Sequence, residues 1–228
     1  MGFKRWRILL LTVMLMLGLC VSGTGEEETL KAGDFVFLGS FPQTEAGDDM
    51  PIEWLVLESD GETALLISRY ALDCKPYNEK QEDTTWETCT LRSWLNNEFY
   101  ETSFSAEEKQ SILPSEVSAD KNPEQGTTPG NATEDRVFLL SITEANAYFE
   151  SDNARICAPS DYAIRHGAYK SDGGEVDGKR ACWWWLRSPG YYGSSAAYVY
   201  SVGSIDFSGS YVNNSDYAVR PCVRVRLF

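Results

Sequence analysis

Three tryptophans in a row, Trp183-Trp184-Trp185, leave this chain little freedom near its C-terminus. Each indole carries roughly 150–250 Å² that has to be packed. On a strand, alternation sends Trp183 and Trp185 to one face and Trp184 to the other. Either one indole is an exposed stacking platform, or two are core and the third packs under a loop. The run belongs to Cys182-Trp183-Trp184-Trp185-Leu186-Arg187-Ser188-Pro189-Gly190, and Tyr217-Ala218-Val219-Arg220-Pro221-Cys222 closes the stretch. Between them, residues 190–217 are almost all Tyr, Ser, Gly, Asn, Asp, Ala and Val, without Lys, Glu, Gln, Met or Trp. Tyrosine gives wide contact area at low side-chain entropy cost, and Ser, Gly and Asn give adaptable hydrogen bonds, so this is the composition of a recognition face. Its candidate ligand-binding residues are Tyr191, Tyr192, Tyr198, Tyr200, Asp206, Tyr211 and Asn213. Trp183, Trp185, Arg187 and Arg220 read as the structural frame around them. The two arginines either offer a bidentate fork to an anion or brace the frame against carboxylates and carbonyls. A plain β-hairpin with half-buried tyrosines has the same composition.

The N-terminus reads as a signal peptide over residues 1–25: Lys4, Arg5 and Arg7, an apolar run over 8–19, then Val21-Ser22-Gly23. That run is too short for a comfortable membrane span. Leu17-Gly18-Leu19-Cys20 is an imperfect lipoprotein signal, because Leu19 is bulky where the peptidase wants a small residue. The expected location is therefore secreted or cell-surface, with membrane attachment only through a lipid on Cys20. Residues 26–32 read as a mobile acidic leader and 33–228 as one domain. The whole chain carries a formal charge of −14, and loss of the three leader cations makes it more acidic still. Such a chain repels phosphate backbones, which argues against nucleic acid as a partner.

Cys74, Cys89, Cys157, Cys182 and Cys222 remain after the signal, an odd number. Candidate disulfides are Cys74–Cys89 and Cys182–Cys222, the second tying the two ends of the Tyr-rich stretch. All five being small buried hydrophobes is the other reading, preferred for Cys157. No Cys-x-x-Cys and a single histidine, His166, leave no zinc pattern. Asp172, Glu175 and Asp177 lack the full ligand set of a calcium loop, so neither metal nor cofactor is expected.

The pattern along the chain predicts α+β. Residues 35–39, 52–58 and 64–70 read as strands, with Ser59-Asp60-Gly61-Glu62 as a hairpin turn. Leu91, Trp94, Leu95 and Phe99 follow helical spacing, and Ser105-Ala106-Glu107-Glu108 is a capping box opening a helix to about residue 113. Residues 114–135 form a polar connection too long to be passive, either a working surface loop or locally disordered. Residues 137–142 read as a core strand, 143–149 and 160–165 as short helices, and 170–179 as a Gly/Asp-rich loop. Short strands are expected at 197–201 and 210–212, around turns at Gly203-Ser204 and Ser208-Gly209. No Ser-His or Cys-His dyad is supported, and acid pairs in so acidic a chain arise without meaning.

Phe41-Pro42-Gln43, Pro51-Ile52-Glu53-Trp54-Leu55-Val56-Leu57, Trp86-Glu87-Thr88-Cys89-Thr90-Leu91-Arg92-Ser93-Trp94-Leu95-Asn96, Val137-Phe138-Leu139-Leu140-Ser141, Trp184-Trp185-Leu186-Arg187-Ser188-Pro189-Gly190 and Val219-Arg220-Pro221 carry a resemblance. Together they resemble a domain of unknown function common in exported proteins of anaerobic gut bacteria. The C-terminal half of that family is similar to the C-type-lectin-like fold, in the branch shared by formylglycine-generating-type domains and the variable proteins of diversity-generating retroelements. The resemblance implies a core of short twisted antiparallel strands with several short helices and long loops. It also implies a C-terminal face diversified at adenines, and the five residue types missing from 190–217 are those that randomised asparagine codons cannot encode. Where the family ends in an Arg-Pro-Ala strand this chain has Cys222, which favours the bridge to Cys182. The formylglycine-generating reaction centre is not recognisable. The expectation is a non-catalytic binding protein for a protein or glycan ligand; the alternative is a hydrolase of cell-wall or glycan substrates using acids of residues 170–179.

Overall fold

The computed structural model describes residues 30–227. The expected signal peptide, Cys20 and residues 26–29 of the leader lie outside the described residues. Two larger sheets, two two-stranded ribbons and a set of short helices make up the described fold. In chain order the strands are β1 (Phe35–Pro42), β2 (Asp49–Ser59), β3 (Thr63–Ser68), β4 (Asp73–Cys74), β5 (Ile112–Leu113), β6 (Ser115–Val117), β7 (Thr133–Asp135) and β8 (Val137–Phe138). They continue with β9 (Lys170–Val176), β10 (Lys179–Cys182), β11 (Trp184–Pro189), β12 (Ser195–Val199), β13 (Ile205–Tyr211), β14 (Ala218–Val219) and β15 (Cys222–Arg226). The two ribbons pair β6 with β7 and β9 with β10.

The first sheet runs β1-β2-β3-β15-β5, with β8 also paired to β15. Period-2 alternation in β2 buries Ile52, Trp54 and Val56, and Trp54 satisfies its indole N–H on the Leu38 carbonyl at 2.8 Å. β3 is buried almost throughout because β2 and the C-terminal strand β15 flank it. A helical segment packs beside this sheet: α1 (Thr90–Trp94), one wide π turn (Leu95–Phe99) and α2 (Tyr100–Ser103). Leu91, Leu95 and Phe99 recur at four-residue spacing and are buried, with Phe99 against Phe41 and Phe104. The capping box at Ser105 and Glu108 forms, but α3 (Glu108–Ser111) is one turn long because Ile112 and Leu113 leave it to pair with β15.

The second sheet runs β13-β12-β11-β14-β4, antiparallel except for β11 beside β14. β11 and β12 are buried along their whole length. Helix α4 (Ile142–Tyr148) follows Ser141, which closes a reciprocal capping box with Glu144. It is flanked by two single turns, α5 (Asp152–Arg155) and α6 (Asp161–Arg165). Among the described residues no helix is long and apolar enough to cross a membrane.

Four expectations need correction. Residues 170–179 are not a loop: Asp177 (φ 52°) and Gly178 (φ 79°) make a tight left-handed turn that joins β9 to β10. Ser208-Gly209 is not a turn between strands but a register shift inside β13, where Gly209 at φ 74° lies too close to Ala196 for a side chain. The core strand expected over 137–142 stops at Phe138, since Ser141 already caps α4. Neither expected disulfide is formed, and all five described cysteines are buried thiols. Cys182 ends β10 beside the second sheet whereas Cys222 starts β15 in the first. Cys74 points its sulfur at the carbonyls of Ser215 and Tyr217, and Cys89 spends its own on capping α1.

Gly203 shows how tightly the second sheet is seated. It lies at φ 85°, and a Cβ there would overlap the Asp152 carbonyl. Gly61 has a similar φ, 90°, and open space around it. Gly203→Ala is expected to cost well over the ~1 kcal/mol of a left-handed alanine, and Gly61→Ala only about that much. Urea denaturation of the two variants checks this; equal midpoints would contradict the packing described.

Candidate functional site

Residues 183–217 divide into a buried frame, a half-buried aromatic floor and an exposed end. The frame comes first in the chain. Trp184 and Trp185 are fully buried, and their indole N–H groups donate to the carbonyls of Arg155 (3.2 Å) and Lys75 (3.0 Å). Arg187 is buried as well. Its guanidinium pairs with both oxygens of Glu144, Nη2 to Oε1 at 2.8 Å, and donates to the carbonyls of Leu139 (2.9 Å) and Ser118 (3.2 Å). Arg220 donates to the carbonyls of Ser68 (3.0 Å) and Arg155 (3.3 Å) and lies over Trp184. Neither arginine is presented to an anionic ligand.

Trp183, ahead of β11, is half-buried and forms the hub of the floor. Its ring centroid lies 4.3 Å from Tyr169, 5.5 Å from Tyr217, 6.0 Å from Tyr200 and 6.1 Å from Tyr198. Tyr217 stacks in turn on Trp185 at 4.2 Å. Across the ladder from Tyr198 sits Asp206. Its Oδ2 accepts from the hydroxyls of Tyr198 (3.1 Å) and Tyr200 (2.7 Å), and its Oδ1 from the Gly209 N–H (2.9 Å). Burial, the Tyr200 hydrogen bond and the nearby Tyr217 and Asp206 charges push the Tyr198 phenol far above its ordinary value. The Asp206 hydrogen bond raises the Tyr200 phenol as well.

These contacts correct part of the expected contact face. Tyr198 is only 5 % exposed and Asp206 has both oxygens occupied, because cross-strand pairing turns them towards each other instead of to solvent. Tyr200 is half-buried with its hydroxyl committed. Tyr198, Tyr200 and Asp206 are floor.

The exposed end lies at the opposite terminus of β12. Tyr191 and Tyr192 occupy the β11–β12 turn with rings edge to face at 4.7 Å, and are 57 % and 58 % exposed. The turn is fixed by its backbone: Tyr191 N–H to Ser208 at 2.7 Å, Ser195 N–H to Tyr192 at 3.0 Å, and the Thr127 hydroxyl to the Tyr191 carbonyl at 2.8 Å. Tyr211 pairs with Ser195, and the Val212 N–H donates to Ser194, so Tyr211 and Asn213, both exposed, arrive beside the same turn. Among the described residues, four of the six exposed large apolar side chains come from residues 190–217, which makes this stretch the main exposed aromatic surface.

Sequence reasoning missed Tyr169, Asn122 and Thr127. Asn122 is buried and donates to the carbonyls of Pro189 (2.8 Å) and Phe207 (2.7 Å), so the long 114–135 connection clasps the Tyr-rich turn. A polar residue in a polar loop gives no sequence signal of such a role. Tyr169 stood between a helix stop and a hairpin, equally unmarked.

The acids of the β9–β10 hairpin do not converge. Asp172 pairs with Arg180 at 2.7 Å, and Asp177 bonds Arg69 (2.6 Å) and Tyr70 (3.0 Å). No cluster of three metal-ligating side chains exists among the described residues. A cleft of about 280 Å³ opens beside this hairpin, lined by Phe37, Met50, Glu53, Tyr70, Asp161 and Lys179 among others. Its two carboxylates are engaged: Glu53 gives both oxygens to Arg69 at 2.8 Å, and Asp161 faces Lys179 at 3.3 Å. His166 sits at the end of α6 with Nδ1 2.6 Å from Asp73.

The class this defines is a single α+β domain whose C-terminal half frames an aromatic surface. The chain belongs to the family described as domain of unknown function DUF6273, which matches residues 61–227. β1 and all of β2 precede the match yet complete the first sheet. No curated protein and no solved structure matches the chain.

The raised phenols set a pH signature. Above about pH 10 an unfolded tyrosine sheds its proton while Tyr198 and Tyr200 keep theirs. The stability they contribute is therefore complete below that pH and is lost as pH climbs through the folded values. Asp206→Asn is expected to move the Tyr200 step to lower pH in a phenolate-absorbance titration. Superimposable titrations of variant and parent would contradict the Asp206 arrangement.

Proposed function

We propose that this domain is a secreted, non-catalytic binding protein that presents the Tyr191–Tyr192–Tyr211–Asn213 end of its second sheet to a protein or glycan ligand. The carrying observation is that large exposed aromatic rings stand on a turn whose backbone is pinned at Tyr191, Tyr192, Ser195 and Val212 by hydrogen bonds. Rings held this way lose little entropy on binding, which is how tyrosine-rich paratopes gain affinity. The finer fold assignment, a C-type-lectin-like core, belongs to the same proposal. It is supported by the motif resemblance and by an antiparallel arrangement in which the last strand returns beside an early one.

Diversification of the face is part of this reading. Variation at the site has to fall on residues that packing does not fix. Tyr191, Tyr192, Val202, Ser208, Tyr211, Asn213 and Ser215 are exposed, whereas Gly190, Gly203 and Gly209 have no room for a side chain. Codon differences between a template copy and this gene should then concentrate at the first set.

The direct test is binding of the full chain to glycan and protein arrays, followed by the triple variant Tyr191→Ala, Tyr192→Ala, Tyr211→Ala. Aromatic anchors of this kind are each worth on the order of 1–2 kcal/mol, so the triple variant is expected to lose at least about tenfold in affinity. Its Tm should stay near that of the parent, since none of the three rings is core. Undiminished binding of the variant to a captured ligand would remove the proposal.

A further inference from the structure

The five buried thiols are not equivalent. Cys222 is sealed in the first sheet opposite Ile67 and Phe138, and Cys74 and Cys89 are turned to backbone partners of their own. Cys157 and Cys182 are direct backbone neighbours. The Cys182 N–H donates to the Cys157 carbonyl at 2.8 Å, and the Cys182 sulfur lies 3.4 Å from that same oxygen. The Cys157 sulfur in turn lies 3.5 Å from the Ala158 carbonyl and 3.6 Å from that of Arg69. A direct backbone bond brings the two residues into the range where a disulfide can form, with Cα atoms roughly 4.4–6.8 Å apart.

Arg220 supplies an independent observation. It is 3 % exposed and spends its donors on carbonyls and its face on Trp184 and Phe149. Among the described residues no carboxylate pairs with it, in contrast to Arg187 and Glu144. A buried cation without a counter-ion is costly. The neighbouring group able to become an anion is the Cys157 thiol. Burial pushes that thiol up, but the Cys182 hydrogen bond, the Arg220 charge and a backbone hydrogen bond at Ala71 outweigh burial and hold it below its ordinary value. Cys182 moves the other way, raised by burial and by its bond to Cys157. The pair is asymmetric, with one sulfur suited to attack and the other to resolve.

We propose that Cys157 and Cys182 form an oxidisable pair that closes to an intrachain disulfide by exchange with a small-molecule disulfide such as oxidised glutathione. The Cys157 thiolate attacks one sulfur of the oxidant, the oxidant's S–S bond breaks, and one glutathione thiolate leaves and takes up a proton. The Cys182 sulfur, its proton passed to solvent, then attacks the Cys157 sulfur of the mixed disulfide and expels the second glutathione. The protein loses two protons and two electrons, and the oxidant becomes two thiols. Access comes through opening of the β9–β10 hairpin, which ends in Cys182 and has a largely exposed outer strand. The bridge pins the segment after α5 to the residue preceding Trp183, directly behind the aromatic floor.

Peptide mapping of the full chain tests this, after equilibration with oxidised glutathione and alkylation of the remaining thiols. The expected result is a Cys157–Cys182 cross-linked peptide, with a Tm about 10 °C above that of the dithiothreitol-treated chain. Cys157→Ser and Cys182→Ser each abolish the bridge, and Cys222→Ser keeps it. The map of the parent chain decides the matter even where a serine variant fails to fold. A Cys182–Cys222 bridge, no intrachain bridge, or glutathione stranded on Cys157 beside a free Cys182 would each overturn the proposal.

Discussion

Arg187 is the interaction on which the arrangement depends. It sits in the middle of β11, and its guanidinium reaches the Glu144 carboxylate and the carbonyls of Leu139 and Ser118. Glu144 at the same time closes the capping box of α4 by accepting from the Ser141 N–H at 2.9 Å. One ion pair therefore fixes the strand carrying the tryptophans, the helix beside it and the long connection that clasps the Tyr-rich turn. Arg187 also lies 3.6 Å from Asp120, so removing this buried cation breaks both pairs at once, and breaking a buried pair on one side typically costs about 3–5 kcal/mol. For a domain whose net stability is on the order of 5–15 kcal/mol, that is a structural hinge of the whole C-terminal half.

Because the frame is fixed from behind, the strands of the second sheet do different work at their two ends. At one end Tyr198, Tyr200, Tyr217 and Trp183 satisfy one another and Asp206, giving a half-buried aromatic layer with its polar groups paired. At the other end the turn backbone is pinned by Ser195, Ser208 and Thr127 while its rings stand in solvent. Composition treats all these tyrosines alike; cross-strand position separates them. The same contrast holds for the arginines, since Arg187 has a carboxylate and Arg220 has carbonyls, rings and a thiol pair.

Much of the fold was legible because it is local. The Ser59–Glu62 turn, the four-residue spacing of Leu91, Leu95 and Phe99, and the Ser105–Glu108 capping box each follow from neighbouring residues. Trp185, Arg187 and Arg220 read as frame in the sequence and are buried, whereas Trp183, which reads the same way, lies half-buried in the floor and Trp184 takes its place. What escaped is non-local. Asp177-Gly178 carried a hairpin signal, but the strands it joins are polar and short of β-formers, so they read as loop. Tyr198 and Asp206 are eight residues apart and meet across the hairpin, in the register set by its turn and not by the shift further along β13. Cys182 reaches the Cys157 carbonyl only because the β9–β10 hairpin returns the chain to the end of the segment it left.

The central claim is that the Tyr191–Tyr192 turn is held in place before any ligand arrives. Amide hydrogen exchange of the unliganded chain tests it most directly, since the Tyr191, Ser195 and Val212 N–H groups are bonded to Ser208, Tyr192 and Ser194. The account predicts that these three amides exchange as slowly as those of β12 beside them, which open only with larger units of the fold. Exchange at unprotected rates in residues 190–195, with β12 still protected, would show a turn that orders on binding and would contradict the account.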